Sequence, residues 1–439
     1  MAPLCWGFVG FDCLINLRGL DGNYNTHRNL KDNAYPMTNA QSRLPFAEES
    51  FVAAGFARCA VDHYARALEK QRLLAFYALG TRRGAQGIAL EHTRLKPVFG
   101  LLNYIFARTC TPFMAESLRF RLFPAYDRWL RSRLRPGQHL ITTVAFANES
   151  QKWVRRNGGF VFMDSGNSHP RFFWKTLAEE QKRWKSPYPP VARHFNLRGA
   201  ESADCADYVF AESSFVRNSF IAEGTDPDRV FVCWLPINVD WFTPSEAVRP
   251  SSRPLTLLNT GAPCLRKGTP YLLEAFRLIL KKEPGAVLRL TQNVRDDARE
   301  VLRRHADLKI EWSPSLDLRR EDQRKQYVER IQTSDIFVFP SLEDGFAYVV
   351  AEAMACGLPV ITTTNTGASD LIQPGENGEI VPIRDPAALA EGVLKWWAKI
   401  QEGKKLVNLA RTRDQLSVEN FEKTLLGHLA AIDVSHDRS

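Results

Sequence analysis

The stretch SLEDGFAYVVAEAMACGLPVI, residues 341–361, decides how this chain is read. It follows DIFVFPS, 335–341, a continuous apolar run of the kind expected for a strand buried on both faces. Pro340 ends that run, and helix signals resume at about Ala347, with Val349, Val350, Ala353 and Met354 on one apolar stripe. Gly357 supplies the stop and Pro359 follows it. Residues 341–346 therefore form a loop at the carboxyl end of a parallel strand, just before a helix start. Open α/β sheets bind ligands at that place, and the unpaired N–H groups of a helix start favour phosphate. A packed helix has no need of carboxylates there. Asp344 precedes the turn, Glu352 lies one to two turns into the helix, and both can accept hydrogen bonds from hydroxyls. Gly345 leaves room for a ligand to approach the backbone of Gly345, Phe346 and Ala347. A nucleotide sugar, with ribose, diphosphate and sugar in line, has the matching shape. The plainer alternative makes Glu352 a solvated helix residue and Asp344 a cap.

Outward from this stretch the same alternation recurs. SFVAAG, RLLAFYALG, HLITTVAF, FVFMDSG, ADYVFAES and RVFVCWLP read as strands, with CAVDHYARALEKQ and ESQKWVRRNGG as helices between them. TPSEAVRPSSRP, 243–254, is rich in Pro and Ser and reads as a linker, after which LTLLNTG, the helix TPYLLEAFRLILKK and AVLRLTQ restart the pattern. The expected fold is α/β with two Rossmann-like domains facing each other across a cleft. The first spans 48–242 and the second 255–416. Residues 1–47 are expected to be a poorly ordered extension, and 417–439 a C-terminal helix able to pack on either domain.

At 439 residues, 44% hydrophobic and 24% charged, the chain has the composition of a soluble globular protein of two or three domains. Residues 51–200 hold 25 Lys/Arg and 9 Asp/Glu, a net +16 against +9 for the whole chain, so one half should meet an anionic partner. The eight cysteines are scattered, without a CxxC pair or a Cys/His cluster, which argues against a zinc site and a disulfide framework. No apolar run reaches the roughly 20 residues of a membrane span. MAPLCWGFVGFDCLINL lacks the basic start of a secretion signal, so the expected location is the cytoplasm.

The residues from DGFAYVVAEAMACGLPVITTTNTGASDLIQPGENGEIV onward resemble the C-terminal domain of the retaining glycosyltransferases of family 4, which have the GT-B fold. The resemblance maps that family's paired acids onto Asp344 and Glu352, and assigns Glu352 to the ribose hydroxyls. Asp344 replaces a glutamate, with Glu343 a candidate substitute for the sugar contact, and Ala347 replaces a glycine. NTGAPCLRKGTPYLLEAF, 259–276, is similar to the family's diphosphate segment. It puts Gly261 in the donor site and Lys267 on the position that neutralises the diphosphate. Ala262 stands where the family has arginine, and Arg266 is the nearby replacement. ESADCADYVFAESSFVRNSFIAEGTDPDRVFVCWLPINVDWFTP also resembles the family's approach to the second domain.

What the resemblance implies is a hexosyltransferase-type enzyme. It would move a sugar from a nucleotide diphosphate donor to a hydroxyl of a glycan or lipid-linked acceptor, with retention and without cofactor or bound metal. Lys267 and Arg266 would stabilise the departing diphosphate, with help from the amides near Ala347 and Tyr348. On the first domain, MDSGNSHP resembles a segment of some family members, implying that His169 contacts sugar or acceptor and that Asp164 orients it. Capping of the next helix by Asp164 and Ser168 is the equal alternative. ESLRFRLFPAYDRWLRSRLRPGQ, 116–138, interleaves arginines with aromatics and is a candidate for an anionic membrane surface on the inner face of the cell membrane. A packed helix with an arginine-rich outer face is the alternative, and Pro124 is expected to interrupt it. Three rival readings are an epimerase or phosphorylase of the same fold, a non-catalytic glycan- or lipid-binding relative, and a nucleic-acid binder. The last leaves the second domain unexplained, so no nucleic-acid partner is expected.

Overall fold

A computed structural model describes residues 44–56, 59–110, 112–188, 193–245, 253–403 and 409–432. Seven strands, β1 Phe51–Gly55, β2 Leu74–Leu79, β3 Thr93–Leu95, β4 His139–Thr143, β5 Val161–Ser165, β6 Tyr208–Ala211 and β7 Val230–Val232, make the first sheet. Six more, β8 Thr256–Leu258, β9 Val287–Thr291, β10 Ile310–Ser313, β11 Ile336–Phe339, β12 Val360–Thr363 and β13 Gly378–Val381, make the second. Both sheets are parallel throughout. Their orders are β3-β2-β1-β4-β5-β6-β7 and β10-β9-β8-β11-β12-β13. These are two doubly wound units, and each order reverses once, between β1 and β4 and between β8 and β11.

The central strands are buried along their whole length, because helices cover both faces, and so they read as unbroken apolar runs. In the first domain Phe162 stacks between Tyr208 and Phe210, at centroid distances of 5.4 and 5.7 Å. In the second, Leu273, Phe276 and Ile279 of the helix Thr269–Leu280 pack in one core with Trp396 and Trp397 of the helix Pro386–Gln401.

Residues 1–43, most of the stretch expected to be an extension, lie outside the described residues, as do 246–252 of the linker and 433–439. Phe46 is buried against Phe51 and His139, with ring centroids at 4.9 and 5.0 Å, so the first domain's core already includes residues before 48. The last helix, Val418–Ala430, crosses back to the first domain. Phe421 packs edge-on against Tyr64 at 5.2 Å, and the His428 ring lies 2.9 Å from the Val232 carbonyl oxygen.

One expectation is corrected. Pro124 does not interrupt its segment, which is a single helix, Pro112–Arg131. Pro124 lies on the exposed side of that helix, where its missing N–H leaves a carbonyl that water can reach. Phe120, Phe123, Tyr126 and Leu130 point into the core, while Arg121, Arg128 and Arg131 face outward. This is the packed-helix alternative.

Candidate active site

The carboxyl edges of the two sheets face each other around a cavity of about 830 Å³. Gly166, Asn167 and Glu212 line it from the first domain, and Lys267, Asp344 and Glu352 from the second. Lys267 and Asp344 come from the loops after β8 and β11, the two strands flanking the order reversal, and Glu352 from the helix that follows β11. The crevice between them is where a doubly wound sheet leaves a ligand-sized gap.

Local structure locks those two loops together. Gly268 takes φ +68°, and a Cβ there would lie 1.8 Å from the Pro340 carbonyl oxygen. Only glycine fits, because its backbone lies directly against the end of β11. The Leu342 amide and the Ser341 hydroxyl both donate to the Arg266 carbonyl oxygen, at 2.9 and 3.1 Å. Asp344 is pinned on its other side by an isolated bridge to Thr366.

Lys267 forms an ion pair with Asp344. Arg266 donates to a Glu343 carboxylate oxygen at 3.1 Å and to one of Asp344 at 3.4 Å. Burial alone would raise the Asp344 carboxyl, but Lys267 and Arg266 hold it below its ordinary value, with the Ala347 amide adding to the effect. Burial lowers the Lys267 ammonium, and the Arg266 charge beside it lowers it further. The pair of cations expected from the sequence is therefore assembled, and in the free protein it is matched by two acids.

Glu352 sits on the cavity wall in the helix Tyr348–Ala355. The Tyr327 hydroxyl donates to it at 2.7 Å and lies 3.1 Å from the Thr260 hydroxyl. No local pattern in the sequence marks this contact, because Tyr327 comes from the helix Glu321–Gln332, 25 residues before Glu352. Gly261, Phe346, Ala347 and Tyr348, also named from the sequence, line the same cavity. Ala347 adopts φ +63° and ψ +63°, the left-handed conformation that a glycine would hold without strain.

Four expectations differ from the structure. Gly345 does not leave its space to a ligand, because a Cβ there would meet the Gly166 carbonyl oxygen of the first domain at 1.9 Å. Its smallness lets the two rims touch. Glu343 is fully buried and is spent on Arg266 and Ser168, so it does not stand in for the sugar contact. His169 is 2% exposed and caps the helix Pro170–Trp184, its Nδ1 accepting from the Arg171 amide at 3.2 Å. Burial, then the Arg171 charge, depress its imidazole to about 4. Asp164 does not orient His169. It lies buried on β5 facing the Tyr64 hydroxyl, and burial pushes its carboxyl up to about 7. Among the described residues, no group of three His, Cys, Asp or Glu could hold a metal ion.

The rims are also tied away from the cavity. Glu180 of the first domain accepts from the Tyr271 hydroxyl at 2.6 Å and from Arg384 at 2.9 Å. Asp370 of the second domain accepts from the Ser214 amide at 2.7 Å and the Trp234 indole N–H at 3.0 Å.

Comparison with known proteins agrees with this architecture. The family model of the glycosyl transferases group 1 matches residues 254–399. A D-inositol 3-phosphate glycosyltransferase of Paenarthrobacter aurescens is 26% identical over 224 residues, 47% of this chain and 54% of that protein. A putative colanic acid biosynthesis glycosyltransferase of Salmonella typhimurium, WcaL, is 21% identical over 215 residues, 48% of this chain and 52% of its own. The chain spans about half the length of the curated relatives it matches. The crystal structure of HepE from Anabaena, solved with UDP and glucose, superposes with a TM-score of 0.57 at 13% identity, covering 88% of this chain and all of that one. At that identity the likeness speaks for the fold alone. Residues 254–399 thus match the glycosyl transferases group 1, and the two sheets together have the GT-B fold.

Proposed function

We propose that this protein is a retaining glycosyltransferase that moves a sugar from a nucleoside diphosphate to a hydroxyl of a glycan or lipid-linked acceptor. One observation carries the reading. A cation pair, Lys267 with Arg266, and two acids, Asp344 and Glu352, line one cavity at the strand-order reversal of the second sheet. Glu352 at one end suits ribose hydroxyls, Lys267 in the middle suits a diphosphate, and Asp344 suits a sugar hydroxyl. The names of the relatives, a D-inositol 3-phosphate glycosyltransferase and a putative colanic acid biosynthesis glycosyltransferase, support sugar transfer to a hydroxyl-bearing acceptor.

In the resting protein Asp344 occupies the Lys267 ammonium. A diphosphate would displace that carboxylate and free it to turn toward the sugar. As the bond to the leaving oxygen breaks, the charge gathering on the diphosphate is met by Lys267, by Arg266 and by the amides at the start of the helix Tyr348–Ala355. The same groups support neutralisation without a metal, and chelation with EDTA should then leave turnover unchanged. Screening UDP-, GDP- and ADP-sugars by thermal stabilisation tests donor binding. NMR of the product anomer tests retention. Stabilisation by none of them would remove the reading.

A membrane-facing role fits a different surface from the one expected. The aromatics of 116–138 are mostly buried, but the neighbouring helix Pro97–Thr109 exposes Val98, Leu101 and Ile105 along one side. With the outward arginines of the adjoining helix, this suits contact with anionic lipid. Co-sedimentation with phosphatidylglycerol vesicles, set against phosphatidylcholine, tests it. Among the described residues no helix is long and apolar enough to cross a membrane.

A further inference from the structure

The cavity holds one carboxyl that the reaction as described does not use. Glu212 directly follows β6, and its amide donates to the Ser165 carbonyl oxygen at 3.3 Å, which sets it at the carboxyl edge of the first sheet. It lines the cavity and is 3% exposed. Its Oε1 has no hydrogen-bond partner among the described residues. Of the other acids nearby, Asp344 is matched by Lys267, and Glu343 by Arg266 and Ser168, while Asp164 is itself buried with both oxygens unpartnered among the described residues. The charges that act on Glu212 are all acidic, Asp164 first, then Asp344 and Glu343. A buried carboxyl left without a partner is costly, and one that persists beside a cavity calls for a ligand group to satisfy it.

We propose that Glu212 binds a carbohydrate hydroxyl in the cleft, from the first-domain side and across from Asp344. Burial first, then the neighbouring Asp164, push the Glu212 carboxyl well above its usual range, which favours its neutral form. A neutral carboxyl has one O–H donor and an acceptor oxygen, and a sugar hydroxyl offers the complementary acceptor and donor. An ammonium or a phosphate would fit this neutral pair less well. The hydroxyl belongs to the transferred sugar or to a sugar of the acceptor. The inference rests on the nucleotide-sugar reading of the cavity.

The test compares wild type with Glu212→Ala and with Glu212→Gln, which keeps both a donor and an acceptor. Calorimetry is run with UDP, GDP and ADP, then with UDP-glucose, GDP-mannose and ADP-glucose. It is repeated with free glucose, mannose and galactose added to the nucleotide-saturated protein. Unchanged affinity of Glu212→Ala for the bare nucleotide shows that the variant is folded. A loss of roughly tenfold for the nucleotide sugar, mostly restored in Glu212→Gln, assigns the hydroxyl to the donor sugar. The same loss confined to the free hexose assigns it to the acceptor. Equal affinities of wild type and both variants in both arms overturn the proposal. Absence of nucleotide binding in wild type removes the reading of the cavity itself and this inference with it.

Discussion

Glu343 of the second domain reaches across the cleft to Ser168 of the first. Its Oε1 accepts from the Ser168 amide at 2.8 Å and from the Ser168 hydroxyl at 3.0 Å. Its other oxygen holds Arg266 at 3.1 Å, so one buried carboxylate joins the domain contact to a cation lining the cavity. Changing Ser168 to Ala should cost about 1–2 kcal/mol, and Glu343→Ala about 3 kcal/mol because the buried Arg266 loses its nearer carboxylate and keeps that of Asp344, at 3.4 Å. Thermal melts give both values. Equal melting temperatures for wild type and Glu343→Ala would show the tie to be energetically idle.

Lys267 should matter for rate far more than for folding. Lys267→Ala should lower turnover about 10²- to 10³-fold, in line with removing one preorganised charge from a transition state. The circular dichroism spectrum should not change. A variant with wild-type turnover would rule out the diphosphate role.

Glu352→Ala should weaken binding of the bare nucleoside diphosphate about tenfold, as expected for losing a charged hydrogen bond to ribose. Tyr327→Phe, which removes only the hydroxyl that orients Glu352, should fall between the two. Calorimetry without any sugar present separates this from effects at Asp344. Identical dissociation constants would take ribose away from Glu352.

Asp164 makes a signed prediction for pH. Its folded value of about 7 lies above the ordinary 3.8, so between these limits the folded state keeps a proton that the unfolded state has lost. Stability from this group is therefore intact below pH 3.8 and falls as pH rises toward 7. Asp164→Asn cannot ionise, so it should gain on wild type across that window, by at most about 4 kcal/mol above pH 7. Denaturant melts of both proteins at several pH values read the difference directly. A constant difference would mean the carboxyl is charged in the folded state.

Ala347 offers a stabilising change. At φ +63° it holds a conformation that costs a Cβ-bearing residue about 1 kcal/mol or slightly more, which Ala347→Gly should relieve. The melting temperature should rise with turnover unchanged. A fall would mean that the lost backbone rigidity outweighs the strain.

Sequence alone determined the two doubly wound units and the grouping of Lys267, Asp344 and Glu352 on one cavity. All of these are local: a buried strand, a short loop and a helix start follow one another within some twenty residues, and periodicity with Gly and Pro records them. Tertiary structure alone decided which carboxylates face the cavity and which are consumed elsewhere. Glu343 and Asp344 are neighbours in sequence, yet one is tied to Ser168 and Arg266 and the other lines the cleft. Gly345 looked like space for a ligand and is space for Gly166, and His169 looked catalytic and is a cap. Glu212 and Tyr327 carried no signal at all. Their roles arise from partners that folding brings close across long stretches of chain, and no local pattern encodes that proximity.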